Sequence, residues 1–170
     1  MIRSAALEDA SRLAEIHISS WQAAYADLLP ADFLDGLSEE LEKRTDQWQD
    51  WLSTESPQRS VLVAIDGDRV VGFTHTGPSG DKDLKPREVG ELYAMYLDPA
   101  HYRQGWGSAL MAAVFADLRA SGFSEASLWV MTDNAQARAF YEQAGWEADG
   151  AETDHCLGIT IPAVRYRASL

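Results

Sequence analysis

The sequence predicts an α/β fold: one domain with a mixed sheet of about seven strands and about four helices, in the order strand, two helices, three strands, helix, strand, helix, two strands. Three observations support it. Residues 91–118 read as an apolar strand, a glycine-containing turn and a helix. Residues 61–65 and 69–76 flank Asp66-Gly67-Asp68, the pattern of a hairpin with a tight glycine-bearing turn. The 170 residues, 46% apolar and 10% aromatic, suit a single domain (1–170) with its own core and argue against disorder.

Taken in order, residues 2–5 make a short first strand. From Leu7 the positions Leu13, Ile16, His17, Ser20, Trp21 and Ala24 fall on one helical face, which ends before Leu28-Leu29-Pro30. His17 on that face reads as a core histidine. Leu37, Leu41, Trp48, Trp51 and Leu52 form a second stripe, with Ser38 as N-cap and Glu39 and Glu40 in the first turn, where the helix dipole favours acids. Ser56-Pro57 closes that helix. After the hairpin, residues 77–86, rich in Gly, Pro, Asp and Lys, read as a loop between strands that must pair. The fourth strand, from Val89, alternates Leu92, Ala94 and Tyr96 with Tyr93, Met95 and Leu97, an apolar run that suits a strand covered on both faces. Asp98-Pro99 ends it. Leu110, Met111, Val114, Phe115 and Leu118 recur at intervals of three and four and give the next helix. Gly122 stops that helix, and residues 126–131 supply a fifth strand. Asp133 or Asn134 caps a short helix that carries Ala137, Phe140, Tyr141 and Ala144 inward and ends at Gly145. Residues 146–148 and 159–166 suggest two last strands, joined by a polar connection over 149–156.

A formal net charge of −13 and a pI near 4.5 oppose binding to nucleic acid and to anionic membranes. There is no apolar run of membrane-spanning length, and the N-terminus reaches Glu8 and Asp9 before any stretch of signal length, so a cytoplasmic protein is expected. The single cysteine, Cys156, rules out an internal disulfide and a multi-cysteine metal site, and no metal is expected.

The chemistry concentrates at Tyr102-Arg103-Gln104-Gly105-Trp106-Gly107-Ser108, between the fourth strand and its helix. The first N–H groups of a helix lack intrahelical partners and lie at the positive end of its dipole, so a phosphate there satisfies both. Glycines at 105 and 107 let the main chain approach closely. A dinucleotide fingerprint would need a third glycine where Leu110 stands, and a P-loop would need a Gly-Lys pair, so a pyrophosphate without bound metal is the better reading.

This stretch resembles the acyl-CoA-binding motif of the GNAT superfamily of N-acetyltransferases: Arg or Gln, two residues, Gly, one residue, then Gly or Ala. Here the register falls on Tyr102, Gly105 and Gly107, with Tyr in place of Arg or Gln and Arg103 one place later. Leu128-Trp129-Val130 followed by Asn134, Ala137, Phe140, Tyr141, Gly145 and Trp146 is similar to the family's second motif. Residues 16–34 also resemble a bacterial branch that includes polyamine acetyltransferases. The resemblance implies a mostly antiparallel sheet splayed between its fourth and fifth strands, with acetyl-CoA as co-substrate. It implies that Met95, Tyr96 and Leu97 face the pantetheine arm and that residues 102–108 hold the pyrophosphate, with Arg103 and Arg138 as local positive charges. A main-chain N–H near Met95 would stabilise the oxyanion, and Asn134 would bond pantetheine or simply cap its helix.

Acyl transfer to an amine needs a neutral amine, a stabilised oxyanion and a proton for the leaving thiolate. By the resemblance Glu91 supplies the base, although a solvated strand-edge acid is an equal reading and Glu88 or Glu142 could substitute. Tyr141 stands where the family keeps a tyrosine whose hydroxyl reaches the CoA sulfur, and otherwise reads as a core aromatic. Trp21 and Tyr25 border the acceptor region. Asp27, Asp32, Asp35, Glu39 and Glu40 crowd the same segment and point to a cationic primary amine such as a polyamine. Two other readings stay open: an acyl-cysteine route through Cys156, and a non-catalytic acyl-CoA sensor or regulatory protein. The oligomeric state is open, with a homodimer one option.

Overall fold

A computed structural model describes residues 1–54, 56, 58–156 and 158–170. Seven strands, β1 (Ile2–Ser4), β2 (Ser60–Asp66), β3 (Arg69–Pro78), β4 (Val89–Leu97), β5 (Glu125–Met131), β6 (Glu147–Cys156) and β7 (Thr160–Ser169), form one sheet in the order β1-β2-β3-β4-β5-β7-β6. All neighbours are antiparallel except β4 and β5. The helices are α1 (Ala10–Ala24), α2 (Ala31–Gly36), α3 (Leu41–Ser53), α4 (Trp106–Ala120) and α5 (Ala135–Gln143). The four longer helices match the predicted ones; α2 is a six-residue addition started by Pro30.

The sheet is covered on both faces. Met111, Val114 and Leu118 of α4 pack with Leu92, Leu128 and Trp146 on one side, while Leu13 and Ile16 of α1 and Trp48 of α3 pack with Val63 and Phe73 on the other. Strand alternation assigns each side chain to a face. His17 belongs to the α1 side, stacked on Tyr96 at 4.5 Å. Burial, and secondarily the Arg44 guanidinium, lower its pKa to about 3, so it is a neutral core ring.

The feature that positions the site is where pairing stops. β4 and β5 are in register from Val89 and Glu125 to Leu92 and Leu128, and no further. Beyond that point β4 stays with β3 and β5 stays with β7, so the sheet opens into a split, as expected. On β4 the register against β3 shifts between Ala94 and Leu92, leaving Tyr93 as an extra residue at the mouth of the split.

Several local expectations are corrected. Ser38 does not cap α3: residues Leu37–Glu40 form a 3-10 turn, and the Ser38 hydroxyl accepts from Gln22 Nε2 at 3.0 Å. Leu41 and Trp51 are 37% and 48% exposed, whereas Trp48 is buried against Val63 and Phe73 and Leu52 packs partly buried on the same cluster. Trp51 instead lies edge-on to Trp48 at 4.9 Å. α3 ends at Ser53, with the Thr54 hydroxyl donating to Asp50 O at 2.8 Å; Pro57, the expected stop, lies outside the described residues. The polar stretch 149–156 is not a connection but most of β6. It is the outer strand, paired on one side only and exposed on nearly all its length, so neither face imposes hydrophobic alternation.

Candidate functional site

The split holds a cleft of about 610 Å³ whose two ends differ in construction. At the α4 end the chain leaves β4, makes a 3-10 turn capped by Asp98, and enters α4 through Arg103 (φ 60) and Gly105 (φ 89). These left-handed residues turn successive N–H groups to the same side. Among the described residues, none of the main-chain N–H groups of residues 103–108 donates to the protein; Ala109 is the first to do so, to Gly105 O at 3.1 Å. That row of free donors at a helix N-terminus fits a pyrophosphate. Glycine serves at 105 because an L residue is strained there. At Gly107 a Cβ would stand 3.4 Å from the Phe140 ring and 3.5 Å from Leu97.

Tyr102, Arg103, Gly105, Gly107 and Ser108 line this end, with Met95, Tyr96 and Leu97 along the β4 wall. The side chains of Gln104 and Trp106 do not. Gln104 Nε2 donates to Ala100 O at 3.1 Å, and Trp106 packs against Ala64, Val71 and Leu110. Arg138 also lies off the cleft, bonded through Nε to Tyr166 Oη and through Nη1 to Thr132 O, each at 3.0 Å.

From the α5 side come Asn134 and Tyr141. Asn134 is nine-tenths buried and caps α5, its Oδ1 accepting from Ala137 N at 3.0 Å. Tyr141 lies among Phe140, Trp146 and Tyr166, ring centroids 5.6, 6.3 and 6.5 Å away. Burial, reinforced by nearby Tyr25, holds its hydroxyl well above the usual phenol range, so it stays protonated at neutral pH and is equipped to donate. Its Oη forms no hydrogen bond among the described residues. Trp21 and Tyr25 also line the cleft, as an edge-to-face pair at 4.9 Å, with Trp21 Nε1 donating to Tyr96 Oη at 2.9 Å.

Glu91 sits at the closed corner of the split, one residue before the last β4–β5 pair. Ser79 Oγ donates to its Oε2 at 3.2 Å and Gly80 N at 3.1 Å. Burial raises its pKa and Asp81 adds to the rise, against the Gly80 and Ser79 hydrogen bonds and the Arg165 charge. It is therefore a half-buried carboxylate held in one orientation, suited to taking a proton. Of the acids that could substitute, Glu88 pairs with Lys85 at 3.1 Å, and Glu142 accepts from Tyr166 Oη at 2.6 Å; neither lines the cleft.

Sequence reasoning missed Ser79 and Gly80, and it missed Tyr93, Trp129, His155, Ile161 and Ala163 as cleft walls. Alternation along β5 and β7 puts Trp129 on the face opposite Leu128 and Val130, which was readable; no sequence signal points from loop 79–88 to Glu91. Cys156 is exposed and does not line the cleft. Among the described residues no group of three or more His, Cys, Asp or Glu is placed to hold a metal ion, and no helix is long and apolar enough to cross a membrane.

A sequence model described as the Acetyltransferase (GNAT) family matches residues 17–146, which takes in the split, the α4 turn and α5. The chain belongs to the GNAT family of acetyltransferases. A relative in Bacillus subtilis, an uncharacterized N-acetyltransferase named YuaI, is 32% identical over 96% of this chain and 89% of its own. The mycothiol acetyltransferase of Kocuria rhizophila is 41% identical over 52% of this chain, but the match spans only 30% of that protein. The GNAT fold is shared with the PaiA N-acetyltransferase of Thermoplasma acidophilum, solved with coenzyme A (TM-score 0.75, 20% identity, 100% of this chain and 98% of that one). It is shared also with the acetyltransferase YncA of Salmonella typhimurium, solved with acetyl-CoA (TM-score 0.68, 19% identity, 100% and 93%).

Proposed function

We propose that this GNAT protein transfers the acetyl group of acetyl-CoA directly to a primary amine within a ternary complex. The observation that carries the reading is that one cleft is lined from one wall by a fixed carboxylate, Glu91, and from the other by a protonated hydroxyl, Tyr141, with unpaired N–H groups at its α4 end. Acetyl-CoA would lay its pyrophosphate on residues 103–108 and its pantetheine arm in the split, where the unpaired edge of β4 at residues 93–97 offers strand-like hydrogen bonds. Met95 N–H is the proposed oxyanion donor.

A primary ammonium with a pKa of about 10.4 is neutral in only roughly one molecule in two thousand at pH 7. Glu91, directly or through one water, takes the proton. The amine nitrogen then attacks the thioester carbonyl carbon, the C–S bond breaks as the Tyr141 hydroxyl gives its proton to the departing thiolate, and the phenolate regains a proton from the acylated nitrogen, leaving a neutral amide and the CoA thiol. Cys156 is exposed and does not line the cleft, which disfavours the acyl-cysteine route.

The cation preference inferred from the acids near α1 loses its support. Asp27, Asp32, Asp35 and Glu39 are exposed, Glu40 lies 3.7 Å from both Lys43 and Arg44, and none of the five lines the cleft. Initial rates of free thiol release across an amine panel test the proposal. Intersecting double-reciprocal plots are expected. Parallel lines would mean an acyl-enzyme, and acetyl-CoA binding without thiol release would mean a sensor.

A further inference from the structure

The cleft has a second end, and its chemistry is not that of the α4 cradle. Alternation places Glu91 and Trp129 on the α1 side of the sheet, opposite Leu92, Leu128 and Val130 of the α4 side. Ile161 and Ala163 share Trp129's face, since Trp129 pairs with Arg165 two residues further along β7. Tyr93 at the bulge and His155 of β6 complete this end.

Two features set what it can hold. First, the polar atoms of its large rings are already used. Trp129 Nε1 donates to Asp81 Oδ2 at 3.1 Å, Tyr93 Oη donates to Pro78 O, and Trp21 Nε1 is taken by Tyr96. What these residues offer the cleft is ring surface. Second, among the described residues Glu91 is the only carboxylate that lines the cleft. The neighbouring acids do not line the cleft and are ion-paired to Arg165, which is 5% exposed and holds Asp81 at 3.0 Å, Asp83 at 2.7 Å and Asp149 at 2.8 Å.

We infer that the acceptor is a monoamine with an aromatic or bulky apolar body, an arylalkylamine in chemical class, and not a polyamine. This rests on the amine-acceptor reading above. One ammonium has one anionic partner, Glu91, and an apolar body is received by Trp129, Tyr93, Leu29 and Ile161. A diamine would bring a second cation against apolar ring surface, with no second carboxylate among the described residues that line the cleft, and an unpaired charge placed there is costly. Its methylene chain would also leave the rings without stacking partners.

The test compares kcat/KM for 2-phenylethylamine, hexylamine and putrescine at saturating acetyl-CoA, followed by thiol release. Phenylethylamine is expected to exceed putrescine by at least about 30-fold and hexylamine by about 5-fold, with the difference in KM. Trp129→Leu should remove most of the preference for the aromatic amine by raising its KM. Trp129→Phe, which keeps a ring, should retain it and guards against misreading a variant that fails to fold. Putrescine equal to or better than phenylethylamine, with measurable turnover of either, would overturn this inference while leaving N-acetyl transfer intact. Acetyl-CoA binding with no thiol release from any amine would overturn both.

Discussion

The α4 end of the cleft offers main-chain N–H groups from six consecutive residues, 103–108, whereas the opposite end is assembled from side chains of α1, β4, β5, β6 and β7 together with loop 79–88. At the first end the recognition is local: a left-handed turn at Arg103 and Gly105 and the start of one helix suffice, and almost any side chain tolerates it. At the second, every group depends on long-range pairing. Trp129 meets Asp81 across 48 residues and Arg165 meets Asp83 across 82. A cosubstrate shared across a family can thus be held by backbone geometry that changes little, while the acceptor is chosen by side chains free to vary.

Substitutions at the two ends should therefore separate binding of acetyl-CoA from chemistry on the acceptor. The largest effect is expected for Tyr141→Phe, which removes the proposed proton donor to the leaving thiolate: kcat should fall by about 10²-fold or more while calorimetric affinity for acetyl-CoA is retained. A variant with full kcat would return Tyr141 to the core. Glu91→Gln should cost about 10²-fold in kcat/KM at pH 7 and recover part of it at pH 9, where more amine is already neutral. If Glu91 is the base it must be deprotonated to act, and burial raises its pKa, so the acid limb of kcat/KM should fall through a midpoint above the ordinary value of about 4.3. A loss in Glu91→Gln that does not vary with pH would make Glu91 a structural acid.

At the cradle, Gly107→Val adds methyl groups where a Cβ already stands 3.4 Å from Phe140 and 3.5 Å from Leu97. The Kd for acetyl-CoA should rise about tenfold, one decade per 1.4 kcal/mol, without a change in the acceptor pH profile. Unchanged affinity in a folded variant would remove the cradle. Arg103→Ala should have the smallest effect, under about threefold in Kd, because an exposed charge is screened by solvent and salt. A larger loss would mean that the cradle depends on side-chain charge and would blur the contrast between the two ends.

The elements that sequence alone determined are those encoded within a few residues. The strand, glycine turn and helix over 91–118, a cap at Asp133 or Asn134, the hairpin around Gly67 and a core position for His17 all follow from local pattern and backbone preference. Glu91 and Tyr141 could be nominated through the resemblance of their surrounding motifs to those of the GNAT family. Only the tertiary structure decided that 149–156 is an edge strand, since a strand bare on both faces carries no hydrophobic period. The fold alone also decided which acids matter. Those near α1 are many but face solvent, Asp81, Asp83 and Asp149 are held by one buried guanidinium, and Glu91 alone among the carboxylates of the described residues reaches the cleft. Charge in a sequence is a count, but charge in a site depends on which carboxylates are desolvated and unpaired, and that is fixed by contacts between segments far apart along the chain.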